Sequence, residues 1–434
     1  MLDASKVLRR AQNRVNYQFK KIERRGVRAS FRLIPVALNH CIRFLLSAVA
    51  TIVALLPALV IRIARPFILI RFGYFDARRM GHFSVDIGTC LAQQSLFVPK
   101  RKTFDLYFFK GVPANCQLAK MATKEFFVAP FVEYLWAANR SLPFRDSHTL
   151  MPAIVSSRSR DTNGVLYKSK SRFTFSEEEN LAGREFLNTI GLDNCSHFIC
   201  LNTRDGAYLK EYLGESNWDY HSYRNVDINN YRLAATYLAE KGYGVVRMGK
   251  AVENSFNVNN SRVFDYASSE YRCDFLDVWL MANCLFCISN GTGLDSVSDI
   301  FRVPTVMVDF IPLTHLHTWQ DAITLPKRLY WDRENIKELV LSEVIKCGFV
   351  RTEDYVQSGI TIVDSSPVEI LSVVTEMEQR LTTGINDTDL DSERQSRFWE
   401  LFQESEHFAK YHGFIHPRNR LSQHMLRENV AWLN

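Results

Sequence analysis

The sequence predicts an α/β protein whose parallel sheets are covered by crossover helices. Apolar strand-like runs alternate with helix-like segments from about residue 66 to residue 381, and capping residues, glycines and prolines separate them. With 434 residues, of which 47% are hydrophobic, the chain is long enough to bury two cores. Strand–helix units repeated at this spacing indicate doubly wound sheets, so we expect two α/β domains that face each other across a cleft.

The N-terminus is basic and precedes an uncharged segment. The first 33 residues contain ten Lys and Arg but only Asp3 and Glu23 as acids, and no charge occurs from Phe44 to Ile61. Eighteen residues is the lower limit for a bilayer span, and Pro57 is expected to interrupt a helix there. A membrane span, a segment lying in the interface and a buried helix all stay open. Arginines on both sides of the segment favour an in-plane anchor on anionic lipid.

The predicted organisation has five parts. They are a basic segment (1–42), an apolar membrane-associating segment (43–65), a first α/β domain (66–175), a second α/β domain (176–381) and a tail (382–434) that packs back on the body. Predicted strands lie at 67–72, 104–109, 197–202, 243–248, 285–288 and 305–308. Predicted helices cover 114–122 and 132–138, and others begin at Ser176, Asp227, Asp274, near Leu294 and at Ser366.

The cysteines indicate a reducing compartment. The chain has nine, an odd number without the spacing of a disulfide framework. Cys284 and Cys287 form a CxxC, but no second pair has zinc-finger spacing, so we interpret them as buried strand thiols. A glycosylation sequon at Asn290 falls in the candidate ligand loop described next, where a glycan would block binding, and this favours a cytoplasmic location.

The segment from Asn283 to Phe310 predicts a strand–loop–helix–strand crossover with an anion-binding loop. The loop contains only small and polar residues, namely Ser289, Asn290, Gly291, Thr292 and Gly293. Unpaired backbone N–H groups at a helix N-terminus, beside glycines that admit a ligand, bind phosphate. The letters match neither GxGxxG nor a P-loop, and a tight turn without a ligand would explain them equally well.

Arginines follow two further predicted strands. Arg204 comes two residues after the strand at 197–202, and Arg247 follows the apolar run Tyr243 to Val246 near the end of the strand at 243–248. Because ligands of parallel sheets bind at the carboxyl ends of the strands, both arginines and the loop predict a diphosphate site, with Arg224 as a further phosphate ligand. The alternative for each arginine is a solvated charge or a pair with an aspartate.

Acids and histidines near these strand ends are candidates for the remaining roles. His82 is the candidate general base, and Asp86, four residues later, would orient it. His221, Asp205 and Asp295 are candidates for ribose or sugar hydroxyl contacts, and His221 could alternatively be a base. Each also has a structural alternative, such as helix capping. No Asp-x-Asp lies beside the loop, so we expect neither a metal nor another cofactor besides a nucleotide co-substrate.

Several motifs in order resemble a known family. The segments RFGYFDARRMGHF, LNTRDGAYL, HSYRNVDINNYRLAATYLAEKGYGVVRMG, DFLDVWLMANCLFCISNGTGLDSVSDIFRVP and LRENVAWL resemble glycosyltransferases encoded in bacterial capsule and O-antigen gene clusters. The resemblance implies a GT-B fold of two Rossmann-like domains, with acceptor in the first and nucleotide sugar in the second. More distantly, Asn202 to Asp205 is similar to the strand-end motif of GT-B fucosyltransferases, which implies that Arg204 contacts the donor diphosphate. Asn202 replaces the usual histidine, so fucose specificity does not follow.

The sequence therefore predicts a metal-independent glycosyltransferase at the cytoplasmic face of the inner membrane, either peripheral or inserted into one leaflet. It would transfer a sugar from a nucleotide-sugar donor to a lipid-linked polysaccharide acceptor, and anionic lipid would be its membrane partner. A sugar-nucleotide epimerase, a pyruvyl transferase and a non-enzymatic membrane or polyanion binder are the alternatives. Binding to nucleic acid is not expected, because acids balance the basic residues beyond the N-terminus.

Overall fold

The computed structural model describes residues 27–97, 99, 101–207, 219–332, 337–384 and 387–434. Residues 1–26 of the predicted basic segment thus lie outside the described residues. The density of internal contacts divides the chain into two compact units. The first comprises Met1–Phe72, Arg101–Leu106 and Pro130–Leu150, and the second comprises Gly73–Lys100, Tyr107–Ala129 and Met151–Asn434. These limits differ from the domain boundaries proposed from the sequence at residues 66, 176 and 382, which stay predictions.

Helices and strands alternate along the chain, as the sequence pattern predicts. Up to residue 202 they are α1 (Val27–Ala64), β1 (Leu69–Asp76), α2 (Met80–Leu96), β2 (Thr103–Lys110), α3 (Cys116–Glu125), β3 (Phe127–Val128), α4 (Val132–Asn139), α5 (Ala153–Ser156), α6 (Val165–Lys168), α7 (Glu177–Thr189) and β4 (Phe198–Asn202). From there to residue 326 they are α8 (Arg232–Glu240), β5 (Gly244–Met248), β6 (Val263–Phe264), α9 (Asp274–Asn283), β7 (Cys287–Ser289), α10 (Asp295–Phe301), β8 (Thr305–Phe310) and β9 (Ala322–Pro326).

The C-terminal part continues with shorter elements. They are β10 (Arg328–Trp331), β11 (Lys337–Glu338), α11 (Leu341–Cys347), α12 (Thr352–Gln357), β12 (Ile360–Val363), α13 (Pro367–Thr382), α14 (Asp389–Gln403), α15 (Glu406–Tyr411), β13 (Arg420–Leu421) and α16 (Gln423–Glu428). Short 3-10 turns join several of them, including Asp219–Arg224 and Leu313–His315.

A seven-stranded parallel sheet forms the centre of the second unit. Its strand order is β13-β9-β8-β7-β4-β5-β6, and every pair of neighbours is parallel. Residues such as Ile199, Val245 and Val306 are fully buried beneath its helices, as expected for a sheet covered on both faces. The other sheets have the orders β1-β2-β3 and β11-β10-β12. The α/β prediction is therefore confirmed.

Local sequence signals explain where several helices begin. Ser176 and Ser366 accept hydrogen bonds from the N–H groups of Glu179 and Glu369, and both glutamates close reciprocal capping boxes. The helix predicted to begin at Asp227 instead starts as a 3-10 turn, Ile228–Tyr231, before α8.

The first unit contains the long apolar helix. Helix α1 continues through Pro57, so the expected interruption there is wrong. A proline removes one backbone hydrogen bond, and a long helix tolerates that loss locally. Helix α1 packs on α4, and its residues Ala54 and Ala58 are 7% and 0% exposed. Its segment Leu45–Ala64 is long and apolar enough to cross a bilayer, with a mean hydropathy of 2.3.

The tail contributes a strand and several core residues to the second unit. Strand β13 pairs with β9 at the edge of the parallel sheet. The side chains of Phe398, Phe402 and Trp432 are buried in the same cluster as Leu313 and Leu316 of the segment after β8. The tail thereby fixes the segment that carries part of the pocket described next.

Candidate functional site

A cavity of about 480 Å³ lies at the carboxyl ends of the parallel strands in the second unit. Its walls come from the turn after β4, the loop between β7 and α10, the first turn of α2 and the segment after β8. The residues that line it include Arg78, Arg79, Gly81, His82, Asn115, Arg158, Arg160, Asn202, Thr203, Arg204, Asp205, His221, Arg224, Lys250, Asp277, Gly291, Thr292, Gly293, His315, His317 and Trp319. The site therefore lies where ligands of parallel α/β sheets bind.

Arg204 stands at this edge because β4 ends two residues before it. Its backbone N–H donates to Oδ1 of Asn290 at 2.9 Å, which fixes the turn, and its Nε has no hydrogen-bond partner among the described residues. Burial, then the guanidinium of Arg224, lower the pKa of Arg204 to about 10. An anion between the two arginines would relieve both effects.

The predicted loop has the expected conformation and lies beside these arginines. Gly291 has φ +78°, and Arg224 donates to its carbonyl oxygen. A Cβ atom on Gly293 would lie 3.0 Å from the backbone nitrogen of Gly81, so glycines allow the loop to approach the N-terminus of α2. Thr292 accepts a hydrogen bond from the amide of Asn202 and lines the cavity. The loop thus presents backbone and hydroxyl groups to the pocket.

Two predicted loop residues support the wall from behind. The carboxamide of Asn290 links the Arg204 N–H to the Arg224 carbonyl, donating to the latter at 3.0 Å, and this side chain is 2% exposed. Ser289 is fully buried, and its hydroxyl donates to Oδ2 of Asp295 at 2.8 Å. We therefore assign Ser289 and Asn290 to positioning the loop.

Asp295 is buried in the first turn of α10, away from the cavity. Its side chain is 0% exposed, and burial raises its pKa to about 7. The predicted contact between Asp295 and a ligand hydroxyl is therefore wrong in this conformation, because the carboxyl group lies behind the loop.

The Asp295→Asn substitution is expected to change how stability depends on pH. Because the folded-state pKa exceeds the unfolded value, the folded protein binds more protons between about pH 4 and pH 7. The free energy of unfolding therefore falls as pH rises through this window, by up to about 1.4 kcal/mol per pH unit for this one group. Urea titrations of the Asn variant should show a shallower fall than the wild type.

The matched control for this pH experiment is Asp146→Asn, since the Asp146 side chain is 95% exposed. It should keep the wild-type slope. Equal slopes for wild type and Asp295→Asn would contradict the raised pKa of the buried carboxyl group.

Two other predicted polar contacts need correction or refinement. Arg247 does not line the cavity, because its side chain is 1% exposed and pairs with Asp265 at 3.1 Å. Successive strand side chains point to opposite faces, and Arg247 lies within β5 rather than after it. Asp205 does line the cavity, but its carboxylate accepts the N–H groups of Ala207 and Glu253 at 3.0 and 2.8 Å.

His82 is in the first turn of α2 and lines the cavity. Burial and then the charge of Arg79 lower the pKa of His82, and these effects outweigh the opposing effect of Asp76. The imidazole is therefore neutral at pH 7. Asp86 is 2% exposed and does not line the cavity, and the carboxylate whose charge acts on His82 is that of Asp76. The predicted orienting role of Asp86 is therefore not supported, whereas His82 has the position and protonation state of a base.

His221 also lines the cavity, near Arg204 and Arg224. Burial, then the charges of Arg204 and Arg224, lower its pKa to about 4. It is therefore a neutral hydrogen-bonding group at pH 7, which fits contact with a hydroxyl group.

Sequence reasoning missed part of the lining. Asn115, Arg158, Arg160, His315 and His317 line the cavity, but none directly follows a strand of the large sheet. The two arginines lie in the loop that follows α5, and Asp277 of α9 also lines the cavity. Strand-end position was the signal used, and it does not identify residues that reach the site from helices and loops.

The described lining is strongly cationic. It contains seven Arg and Lys residues against two aspartates. The histidines do not add charge at pH 7, since burial lowers the pKa of His315 and His317 to about 3. A partly enclosed pocket with this excess of cations attracts and holds multiply charged anions.

Comparison with known proteins gives similarity at the level of structure. No protein-family model matches the sequence. No curated protein sequence matches it. Among solved structures, a glycosyl transferase family 9 protein from Veillonella parvula is 14% identical, covering 60% of this chain and 86% of its own, with a TM-score of 0.38.

Two heptosyltransferases are similar to the same extent. The E. coli ADP-heptose LPS heptosyltransferase II is 14% identical, covering 71% of this chain and 98% of its own, with a TM-score of 0.34. The dodecameric iron-containing heptosyltransferase TibC, in complex with ADP-D-β-D-heptose, is 12% identical. The match covers 72% of this chain and 76% of TibC, with a TM-score of 0.32. With TM-scores this low, the functional assignment rests on the site residues.

Proposed function

We propose that this protein is a glycosyltransferase of the GT-B type that transfers a sugar from a nucleotide-sugar donor to a lipid-linked surface-polysaccharide acceptor. The observation that carries the proposal is the group formed by Arg204, Arg224 and the loop 291–293 at the strand ends. Two guanidinium groups and a glycine loop suit a diphosphate, and they would offset the charge that develops as the diphosphate leaves. Protein cations can supply this stabilisation without a metal ion.

His82, in the first turn of α2 beside the loop 291–293, would act as the general base in the same pocket. The acceptor hydroxyl forms the new bond to the anomeric carbon, and the bond between that carbon and the diphosphate breaks. The hydroxyl proton passes to the neutral imidazole, and the bonding electrons stay on the diphosphate. His221 and Asp205 line the cavity and would contact donor hydroxyl groups, with the Asp205 carboxylate also accepting two backbone hydrogen bonds.

The test is to incubate the protein with a panel of nucleotide sugars and extracted lipid-linked glycans, measuring nucleotide release and the glycan product. One donor should release its nucleotide only when acceptor is present. Conversion of the donor sugar without acceptor would instead support an epimerase, and transfer of a pyruvyl group a pyruvyl transferase. Failure of every nucleotide to bind the described pocket would leave only the non-enzymatic binder.

We further propose that the protein lies on the cytoplasmic face of the inner membrane through α1. Around this helix, Leu46, Ile52, Val53, Leu56 and Ile63 are all at least 64% exposed. Helix α4 packs beside the C-terminal half of α1 and carries exposed Glu133 and Arg140. A span would bring these charges into hydrocarbon at high cost, so the arrangement favours insertion into one leaflet.

Replacing two exposed apolar residues of α1 should weaken membrane binding. Leu46 and Val53 are 64% and 68% exposed and lie seven residues apart, so they share a face. Leu46→Asp with Val53→Asp should reduce binding to vesicles rich in phosphatidylglycerol by about tenfold or more, because two apolar groups leave the bilayer. Flotation of the full chain measures the bound fraction.

Val368→Asp with Leu390→Asp is the matched control, since these residues are 61% and 60% exposed on α13 and α14. It should float like the wild type. Equal losses in both double variants would contradict a membrane role specific to α1.

A further inference from the structure

Arg158 and Arg160 lie on a part of the cavity wall that the diphosphate does not require. They follow the short helix α5, and the backbone at Arg158 and Ser159 is left-handed, with φ +56° at each. Two successive non-glycine residues in this conformation are strained, and such strain is concentrated at functional sites. The conformation directs both neighbouring arginine positions to the pocket.

No carboxylate of the described residues pairs with Arg160. The adjacent acid, Asp161, accepts the N–H groups of Val165 and Leu166 at 2.9 and 2.7 Å and so caps α6. The guanidinium of Arg160 instead lies 5.4 Å from the ring centroid of Tyr411, and its Nη1 contacts the Tyr411 carbonyl at 3.5 Å. Burial, despite the partial compensation by Tyr411, lowers the pKa of Arg160 to about 10. This cation is therefore desolvated without a carboxylate counter-ion in the described part of the chain.

The pair is separate from the diphosphate arginines. Arg158 and Arg160 lie in the loop after α5, whereas Arg204 follows β4 and Arg224 lies in the 3-10 turn Asp219–Arg224. Arg160 faces the Trp319 ring, whereas Arg224 donates to the Gly291 carbonyl oxygen. The described lining thus holds two groups of cations on different elements, and we call the part formed by Arg158 and Arg160 the second end.

Aromatic and imidazole groups surround the second end. The Trp319 ring stacks on His317 at 4.8 Å between centroids and lies 6.0 Å from the Arg160 guanidinium. Nδ1 of His317 has no hydrogen-bond partner among the described residues. An aromatic wall with a free imidazole nitrogen suits the apolar face and hydroxyl groups of a sugar ring.

We propose that Arg158 and Arg160, together with His317 and Trp319, form a second anion subsite that binds a phosphate or carboxylate group carried by a sugar substrate. This proposal rests on the proposed function for the identity of that substrate as a sugar. It adds that the substrate bears a negative charge besides the donor diphosphate. A neutral sugar would leave the desolvated Arg160 guanidinium without an anionic partner among the described residues, which is unfavourable.

The test is calorimetric titration of the full chain with inorganic pyrophosphate, inorganic phosphate, D-glucuronate and D-glucose. Arg160→Gln should weaken phosphate or glucuronate binding by about tenfold or more and leave pyrophosphate binding within about twofold, as expected for loss of a charge-assisted contact. Arg204→Gln should show the reverse pattern. The tighter of phosphate and glucuronate identifies the source of the anion, and D-glucose should bind weakest.

Arg172→Gln is the control, because Arg172 pairs with Glu125 and does not line the cavity. If Arg160→Gln does not fold, exposed Arg158 offers a second variant, Arg158→Gln, with the same expected direction. Unchanged phosphate and glucuronate binding in the folded variants would overturn the proposal, as would equal losses for pyrophosphate. Selective loss in Arg160→Gln, with pyrophosphate binding insensitive to Arg204→Gln, would uphold the second subsite and reject the proposed diphosphate site.

Discussion

Arg204→Gln is expected to slow sugar transfer by about 100-fold or more. Removing one preorganised donor from a site where negative charge develops typically costs 10²–10³-fold in turnover. Arg204 is half-buried, its turn is fixed by Asn290, and its Nε is free to donate to a ligand. Because glutamine retains much of the side-chain volume but not the charge, the loss should reflect charge stabilisation. Nucleotide release with the active donor measures it.

Arg172→Gln again provides the control, since it removes a cation outside the cavity and should keep wild-type turnover. Thermal melting of both variants separates a catalytic loss from unfolding. If folded Arg204→Gln transfers sugar at the wild-type rate, the assignment of the diphosphate site is wrong.

His82→Gln is expected to reduce turnover by about 100-fold or more while leaving donor affinity nearly unchanged. A positioned general base typically contributes 10²–10⁴-fold, and a glutamine side chain cannot accept the proton. Because burial lowers the pKa of His82, the wild-type rate should fall on acidification through that lowered pKa. The residual activity of His82→Gln should not show this fall in rate at acidic pH, which is the acidic limb of the pH–rate profile.

The Asp86→Asn variant tests whether Asp86 takes part in the proton transfer proposed for His82. Since the Asp86 carboxyl group does not line the cavity, this variant should retain the acidic limb if it folds. An unchanged limb in His82→Gln would show that another group is the base, and pocket-lining Asp277, whose pKa burial raises to about 6, would be the next candidate.

The sequence predicted the parts of the site that follow directly from strand geometry. Arg204 and the loop 289–293 follow β4 and β7, so their position was determined once those strands were recognised. The prediction that Arg247 lines the site is wrong because successive strand residues point to opposite faces of the sheet. An error of one residue in the predicted strand end therefore assigns a side chain to the wrong face. Strand ends read from sequence are not known to that accuracy.

Other features depend on tertiary contacts that no local pattern encodes. Asp295 lies behind the loop because its carboxyl group accepts the Ser289 hydroxyl, six residues away. Arg160 reaches the pocket through two left-handed residues that the surrounding structure imposes. The continuity of α1 through Pro57 likewise goes with tertiary packing, since α1 packs on α4 and buries Ala54 and Ala58 on either side of the proline.

The most direct test of the central claim is a crystal structure of the full chain with the nucleoside diphosphate that binds it. We predict that the diphosphate contacts the guanidinium groups of Arg204 and Arg224 and the backbone N–H groups of the loop 291–293. A nucleotide bound with its phosphates away from both arginines would contradict the account.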